Sequence, residues 1–200
     1  MPKLHISSGN TKMGPVPSFS LPSGLTCSPE ARKTCHHDCY YRRHVERFPL
    51  VRKYGKQNLD MCLNSLAETE EYLNWYFSNP NAPRLFRIHV GGDFYNAEYF
   101  AMWVRVISSH PETQFLAFTK QFDVIAEYKE ALPENFSLIL SAWPGLEIPE
   151  KLRSRFPVAW MQDGTETRVP SDAIQCTGNC MECKAKCWAL SGCDVVFKKH

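Results

Sequence analysis

The feature that most constrains the fold is a regular alternation of strand-like and helix-like runs after Pro83. The runs are RLFRIHV, NAEYFAMWVRVISSH, TQFLAFT, DVIAEYKEAL, NFSLILS, PEKLRSRF and VAWMQ. Such alternation is typical of a parallel sheet with right-handed helical crossovers. We therefore predict an α/β fold, either a partial (β/α) barrel or an open parallel sheet, with cysteine-rich N- and C-terminal extensions. Further strands are expected near Thr26 and in the terminal VVFKK.

At 200 residues, 44% of them hydrophobic, the chain can bury one sizeable core. We expect a single domain in four parts: a Pro- and Ser-rich arm over 1–26, a Cys-rich basic segment over 27–56, an α/β core over 57–170 and a Cys-rich segment over 171–200. Apolar runs stay well short of the roughly 18 to 20 residues that span a bilayer. The sequence therefore predicts a cytoplasmic protein without a membrane partner.

A helix is predicted from Asn58 to Ser78, because apolar residues recur there at helical spacing and Asn58 is a plausible N-cap. Cys62 falls on the apolar stripe of this helix. We interpret it as a small core residue and not as a ligand.

Seven of the nine cysteines form two dense groups at opposite ends of the chain. The N-terminal group has the spacing C-x7-C-x3-C and consists of Cys27, Cys35 and Cys39. The C-terminal group has the spacing C-x3-C-x2-C-x3-C and consists of Cys176, Cys180, Cys183 and Cys187. Thiolates crowded along the sequence are typical of a soft metal centre, whereas structural disulfides usually join positions distant in sequence. Both groups are therefore predicted to bind metal.

The number of thiols in each group bears on the kind of metal. Four cysteines in one short run are typical of a ferredoxin-type cluster, whereas zinc ribbons pair two well-separated knuckles. Three cysteines leave one iron of a [4Fe-4S] cubane open to a substrate or cofactor. We therefore predict one or two [4Fe-4S] clusters. Zinc stays open as the alternative, with His36 or His37 completing a closed Cys3His site in the N-terminal group.

Polar residues follow the predicted strands, at the edge where α/β folds build their sites. They are His89, Gly91, Gly92, Asp93, Thr119, Lys120, Ser141, Trp143, Gln162 and Asp163. Period-two alternation in the first strand predicts Phe86 and Ile88 on the helix-facing side, with Arg87 and His89 on the other. We take His89, Asp93 and Lys120 as candidate catalytic residues. Ser141 is a candidate cofactor-binding residue on the same rim.

The segment from Ala31 to Lys56 is locally basic, with eight Lys and Arg residues against two acidic ones and three interleaved histidines. Three interpretations stay open: a solvated helix face, contact with an anionic partner, or compensation of the negative charge of a thiolate-bound cluster. The net charge of the whole chain is only +2, which does not indicate a dedicated nucleic-acid binder.

Taken together, these motifs resemble the phage gene-product-88 family over almost the whole chain. The matching segments are GNTKMG, SFSLPSGLTC, CHHDCYYRR, FRIHVGGDFY and CTGNCMECKAKCW, with VVFKKH at the terminus. The resemblance implies a phage or prophage origin, and hence the cytoplasm of a host cell. It implies no particular reaction.

More remotely, three cysteines before a partial barrel and a glycine pair at a strand end are similar to the radical S-adenosylmethionine enzymes. That similarity implies S-adenosylmethionine at the open iron. It also implies that Gly91, Gly92 and Asp93 lie at its methionine amino group. The usual C-x3-C-x2-C spacing of those enzymes differs from that of the N-terminal group and occurs here within the C-terminal group.

Three functions follow as expectations, the third being a phage accessory protein whose clusters only stabilise a small α/β domain. The first is a redox or radical enzyme, an oxidoreductase or transferase whose substrate the sequence does not name. The second is a module without catalysis, stabilised by iron-sulfur or zinc, that binds nucleic acid or a host protein through the basic segment 31–56.

Overall fold

The computed structural model describes residues 3–183, 186–190 and 192–199. Its strands are β1 (Ile6–Ser7), β2 (Ser18–Phe19), β3 (Leu85–Ile88), β4 (Gln114–Thr119), β5 (Phe136–Ala142), β6 (Val158–Gln162), β7 (Ile174–Gln175) and β8 (Val195–Lys198). They form one sheet in the order β1-β2-β3-β4-β5-β6-β8-β7. Every neighbouring pair is parallel except β1 with β2.

Six α-helices are present in the described residues. They are α1 (Pro29–Thr34), α2 (Pro49–Asn64), α3 (Leu66–Phe77), α4 (Ala97–Ser109), α5 (Phe122–Glu127) and α6 (Glu150–Arg153). A π-helix spans Tyr41–Val45, and a 3₁₀ turn spans Cys187–Ala189. None of the described helices combines the length and the apolar character needed to cross a membrane.

The alternation after Pro83 is confirmed, because β3, α4, β4, α5, β5, α6 and β6 follow one another along the chain. The sheet is open, with β1 and β7 at its edges, so the fold is a mixed α/β fold and not a closed barrel. The expected strand at the terminus is present as β8, whereas the one expected near Thr26 is absent.

The sheet separates two apolar layers of unequal size. On the helix side, Phe86 and Ile88 are fully buried in the large core together with Trp103 of α4, as the period-two pattern predicts. On the other side, Leu116 and Ile139 belong to a smaller cluster that the C-terminal segment covers. The cysteines of that segment therefore lie against a sheet face.

The N-terminal arm is an ordered part of the sheet. Phe19 of β2 is fully buried and pairs with Ile88 of β3. The arm is also tied to α2, because Asn58 accepts a hydrogen bond from the backbone N–H of His5 (2.8 Å) and donates one to its carbonyl oxygen (3.0 Å). Asn58 is thus a buried link inside a helix and not the predicted N-cap.

The single helix predicted from Asn58 to Ser78 is two helices in the structure. Ser65 has an extended backbone (φ −154°), ends α2 and caps α3 by accepting a hydrogen bond from the Glu68 N–H at 3.2 Å. The continuous apolar stripe concealed this break. Cys62 is 3% exposed, which confirms its interpretation as a core residue.

Candidate functional site

The carboxylate of Asp93 connects the carboxyl ends of β3 and β4. It is buried and accepts hydrogen bonds from Thr119 Oγ1 (2.7 Å), the Lys120 backbone N–H (2.7 Å) and the Phe94 N–H (2.8 Å). Burial raises the pKa of this carboxyl group, and the three donors oppose that rise. Asp93 is therefore held in one position by groups from two strand ends.

The side chain of Lys120 extends the site to the end of β5. Its Nζ donates to Ser141 Oγ at 2.8 Å and lies 5.6 Å from the centre of the Trp143 ring. Lys120 forms no ion pair with a carboxylate of the described residues. Its ammonium charge instead acts on the buried carboxylate of Asp93 without a direct ion pair and helps to oppose the rise of the Asp93 pKa.

Of the four strand ends expected to form a polar rim, three meet through these hydrogen bonds. The fourth makes local turn contacts, since Gln162 Oε1 accepts from the Gly164 N–H (2.7 Å) and Asp163 accepts from the Thr165 N–H (2.9 Å).

The N-terminal cysteine group lies beside this strand-end site. Burial raises the pKa of the Cys27 thiol to about 12, with further contributions from the negative charges of Asp93 and Cys35, while Lys120 opposes the rise. Burial also raises the pKa of Cys35, where Lys120 is the main opposing charge and Cys39 is a further neighbour. Cys27, Cys35, Asp93 and Lys120 therefore share one electrostatic environment, and Cys39 adjoins it through Cys35.

Local structure places the first two thiols. Cys27 Sγ accepts a hydrogen bond from the Gly24 N–H at 3.3 Å. The short helix α1 separates Cys27 from Cys35, with Ser28 as its N-cap and Pro29 in its first turn. Cys35 is the residue that ends this helix.

Two residues that the sequence did not reveal anchor this arrangement. Thr26 Oγ1 accepts a hydrogen bond from the Asp93 N–H at 3.1 Å, and the Thr26 carbonyl accepts one from Gln121 Nε2 at 2.8 Å. The residue before Cys27 is thereby fastened to the ends of β3 and β4. These contacts join residues 67 and 95 positions apart, so no local pattern signals them.

The glycine pair lies at this site but is covered by protein. A Cβ on Gly91 would lie 2.0 Å from the ring of Tyr41. Gly92 has φ +78°, and a Cβ there would lie 2.7 Å from Leu21 and from Thr26 Oγ1. Close packing therefore accounts for both glycines, and their expected contact with S-adenosylmethionine stays a prediction.

His89 occupies the helix side of the sheet, so the prediction that it shares a face with Arg87 is wrong. Strand β3 ends at Ile88, and the backbone of His89 turns to φ +58°. Its Nε2 lies 2.9 Å from the hydroxyl oxygen of Tyr99 in α4, and its buried Nδ1 has no partner among the described residues. Burial lowers the pKa of His89 to about 3, which keeps the ring neutral.

The C-terminal group lies on the sheet face opposite the helices. Cys183 and Cys187 pack against its apolar cluster, and the Cys187 carbonyl accepts a hydrogen bond from Ser137 of β5 at 2.6 Å. Burial raises the pKa of the Cys187 thiol to about 11, with contributions from Cys183, Cys180 and Cys176. All four thiols therefore influence one another.

Two cations act on this second group, Lys12 on Cys180 and Arg87 of β3 on Cys180 and Cys187. The Arg87 guanidinium donates to the His89 carbonyl at 3.3 Å and lies 4.2 Å from the centre of the Phe118 ring. Burial lowers its pKa to about 10, and the charges that most oppose this are those of Cys187 and Cys180. It forms no ion pair with a carboxylate within the described ranges.

Both thiol groups suit a soft metal chemically, because each combines sulfur donors with a nearby cation. As the side chains stand, however, no set of three or more His, Cys, Asp or Glu residues in the described parts of the chain is arranged to hold a metal ion. Metal binding would therefore require the thiols to turn toward one another.

Comparison with known proteins gives one consistent family. The family model described as "Gene product 88" matches residues 3–194. The Gene 88 protein of Mycobacterium phage L5 is 30% identical over 151 residues, which cover 70% of this chain and 63% of that protein. The Gene 88 protein of Mycobacterium phage D29 is 32% identical over 152 residues, with the same coverage of 70% and 63%.

The matched part of the chain thus spans less than two thirds of these phage relatives. No solved structure matches the chain. Because the family model covers nearly every residue, the chain belongs to the gene product 88 family.

Proposed function

We propose that this protein is an iron-sulfur protein with two clusters. Cys27, Cys35 and Cys39 would hold one cluster with an open iron position, and the C-terminal group would hold a second through four thiolates. The observation that carries the proposal is the position of Cys27 and Cys35 beside the buried Asp93 and the ammonium group of Lys120, with Cys39 next to Cys35.

Charge supports the N-terminal cluster. Thiolate ligands would bring negative charge into a half-buried site that already contains Asp93, and Lys120 supplies the positive charge that offsets it. The Gly24 N–H that donates to Cys27 Sγ is the kind of outer contact that orients a metal ligand. Lys120, Asp93 and Ser141 are the linked polar groups beside Cys27 and Cys35 that could bind a substrate or move a proton, so we propose a redox or radical enzyme.

Charge also supports the C-terminal cluster. A half-buried guanidinium on a sheet face needs nearby negative charge, and the groups that bring it to Arg87 are Cys187 and Cys180, followed by Asp93. Four neutral thiols would not provide such a charge, whereas metal-bound thiolates would. This site is closed by four ligands and is assigned to electron transfer or to stabilising the fold.

Iron and acid-labile sulfide assays on anaerobically reconstituted protein test the proposal. The wild type should hold about eight irons per chain, and replacing all cysteines of either group by alanine should leave about four. Cys62→Ala is the matched control and should keep the full content, because this thiol lies in the core. Iron content that is unaffected by both group variants would overturn the proposal.

S-adenosylmethionine is the open-site ligand that the remote similarity suggests. Addition of this cofactor to reduced, cluster-loaded protein should change the electron paramagnetic resonance spectrum of the N-terminal cluster, and 5′-deoxyadenosine should form. The Tyr41 ring lies where a ligand would approach Gly91, so Tyr41→Ala should not weaken binding. An unchanged spectrum and no product would remove S-adenosylmethionine from the proposal while leaving the clusters.

One observation favours zinc as a second candidate. The His36 Nε2 lies 2.6 Å from the position of a Cβ on Gly24, and the Gly24 N–H donates to Cys27 Sγ. His36 is therefore next to the N-terminal thiols, whereas the side chain of His37 is 93% exposed. A closed Cys3His site predicts colourless protein with zinc that His36→Ala loses and His37→Ala retains.

A further inference from the structure

We infer that the surface formed by the π-helix and the start of α2 binds single-stranded nucleic acid. This basic-aromatic surface is defined by Tyr40, Arg42, Arg43, Arg47, Phe48, Arg52 and Lys53. It begins one residue after Cys39. The inference goes beyond the proposed cluster chemistry and does not depend on it.

The segment that carries this surface is strongly positive. The range 40–57 contains six of the 23 Lys and Arg residues but only one of the 21 Asp and Glu residues, so the remainder of the chain is net acidic. That one acidic residue, Glu46, points its carboxylate at the arm, where it accepts hydrogen bonds from the backbone N–H (2.7 Å) and the hydroxyl group of Ser23. Its charge is therefore directed away from the exposed arginines.

The helical geometry directs one side chain of this segment into the protein and the following ones to solvent. Tyr41 points inward, is 7% exposed and packs on Gly91, while the next three residues, Arg42, Arg43 and His44, are exposed. Within the described residues Arg42 donates to the His36 carbonyl at 3.4 Å, and Arg43 donates to the carboxylate of Asp38, also at 3.4 Å. Arg42 is therefore available to an external anion, and Arg43 can exchange its long, exposed contact with Asp38 for one.

Exposed flat rings lie among these cations. Tyr40 is 50% exposed and stacks on His44 with ring centres 5.1 Å apart. Phe48 is 51% exposed, with the Arg47 guanidinium 4.9 Å from its ring centre. Arg52 donates to the Arg47 carbonyl at 2.8 Å and so keeps the start of α2 beside these rings.

The combination of rings and cations selects the partner. Cations alone would suit any polyanion, but exposed rings interleaved with arginine are how proteins stack the bases of a single strand. In a duplex the bases are already stacked on each other, so the rings would contribute little. The geometry therefore favours a single strand over a duplex or a membrane surface.

Fluorescence anisotropy with labelled oligothymidine and oligouridine of about 20 nucleotides, in about 50 to 300 mM salt, tests this inference. The triple variant Arg42→Ala/Arg47→Ala/Lys53→Ala should bind more weakly. The slope of the logarithm of its binding constant against the logarithm of salt concentration should also be less steep, by about 2. The control triple Lys129→Ala/Lys151→Ala/Arg155→Ala removes three exposed cations elsewhere and should bind as the wild type does.

Phe48→Ala should weaken binding about tenfold with the salt slope unchanged, because stacking releases no counterions. Its control is Trp75→Ala, which removes a 62% exposed ring from α3. The inference is supported if the wild type binds either oligonucleotide and if the Arg42/Arg47/Lys53 triple variant and Phe48→Ala both bind it more weakly than their controls do. It is overturned by the absence of binding, by equal losses in the two triple variants, by equal affinity for a duplex, or by binding to phosphatidylserine vesicles and not to the oligonucleotides.

Discussion

At the scale of single residues, His89 and Asp93 show how neighbouring buried polar groups can serve different parts of the molecule. Both are almost fully buried in the turn that follows β3. The Asp93 carboxylate meets three donors from two strand ends, whereas the His89 ring, within the described residues, is hydrogen-bonded only to the hydroxyl of Tyr99. Asp93 therefore belongs to the candidate site, and His89 belongs to the aromatic layer beneath α4.

The lowered pKa of His89 predicts that stability falls in acid. The unfolded chain takes up a proton at this ring below about pH 6.5, while the folded protein does so only near pH 3. The free energy of unfolding should therefore decrease by up to about 1.4 kcal/mol per pH unit between these limits. Asparagine tolerates a positive φ, so His89→Asn can keep the backbone of the turn. In urea titrations this variant should lose about 2 kcal/mol less of its free energy of unfolding between pH 7 and pH 5 than the wild type does.

The control for this test is His37→Asn, because the side chain of His37 is 93% exposed and should leave the pH dependence unchanged. If the stability of the His89→Asn protein depends on pH as strongly as that of the wild type, another group causes the loss of stability in acid.

Asp93→Asn should destabilise the protein. The new amide NH₂ group would replace one acceptor oxygen and face a donor, the Thr119 hydroxyl or the Lys120 N–H. We expect a loss of about 1 to 3 kcal/mol in the free energy of unfolding. Asp172→Asn changes an exposed carboxylate and should have no measurable effect in the same thermal and urea measurements. Equal stability of the two variants would contradict the assignment of Asp93.

At the scale of secondary-structure elements, the π-helix covers the first residue of the glycine pair, Gly91, with protein. Its Tyr41 packs against Gly91 and contributes to burying the turn after β3. The strands after Pro83 were predictable because their patterns are local. The boundary between α2 and α3 was not, because the apolar stripe continues across Ser65 while the backbone there is extended.

Gly91→Ala tests the packing of the π-helix. The added methyl group would overlap the Tyr41 ring, so we expect a loss of about 1 to 3 kcal/mol in the free energy of unfolding, as for other overpacked sites. Tyr41→Ala in the same chain should relieve the overlap, which makes the two losses non-additive in a double-mutant cycle. Gly55→Ala is the control, since its Cβ would lie no closer than 3.7 Å to Pro22. Additive losses would contradict this packing.

At the scale of the whole molecule, one sheet brings each thiol group to a cation. The N-terminal group lies at the strand ends beside Lys120, and the C-terminal group lies on a sheet face beside Arg87. The sequence predicted both groups and most of the polar rim, because cysteine spacing and strand ends are local signals. It could not predict Thr26 and Gln121 as anchors, because their contacts exist only after folding.

X-ray diffraction from anaerobically grown crystals, with anomalous data recorded at the iron and zinc absorption edges, tests the central claim most directly. We expect iron density bonded to Cys27, Cys35 and Cys39, and separate iron density at the C-terminal group. Zinc at these positions, or cysteines free of any metal in protein reconstituted with iron and sulfide, would contradict it.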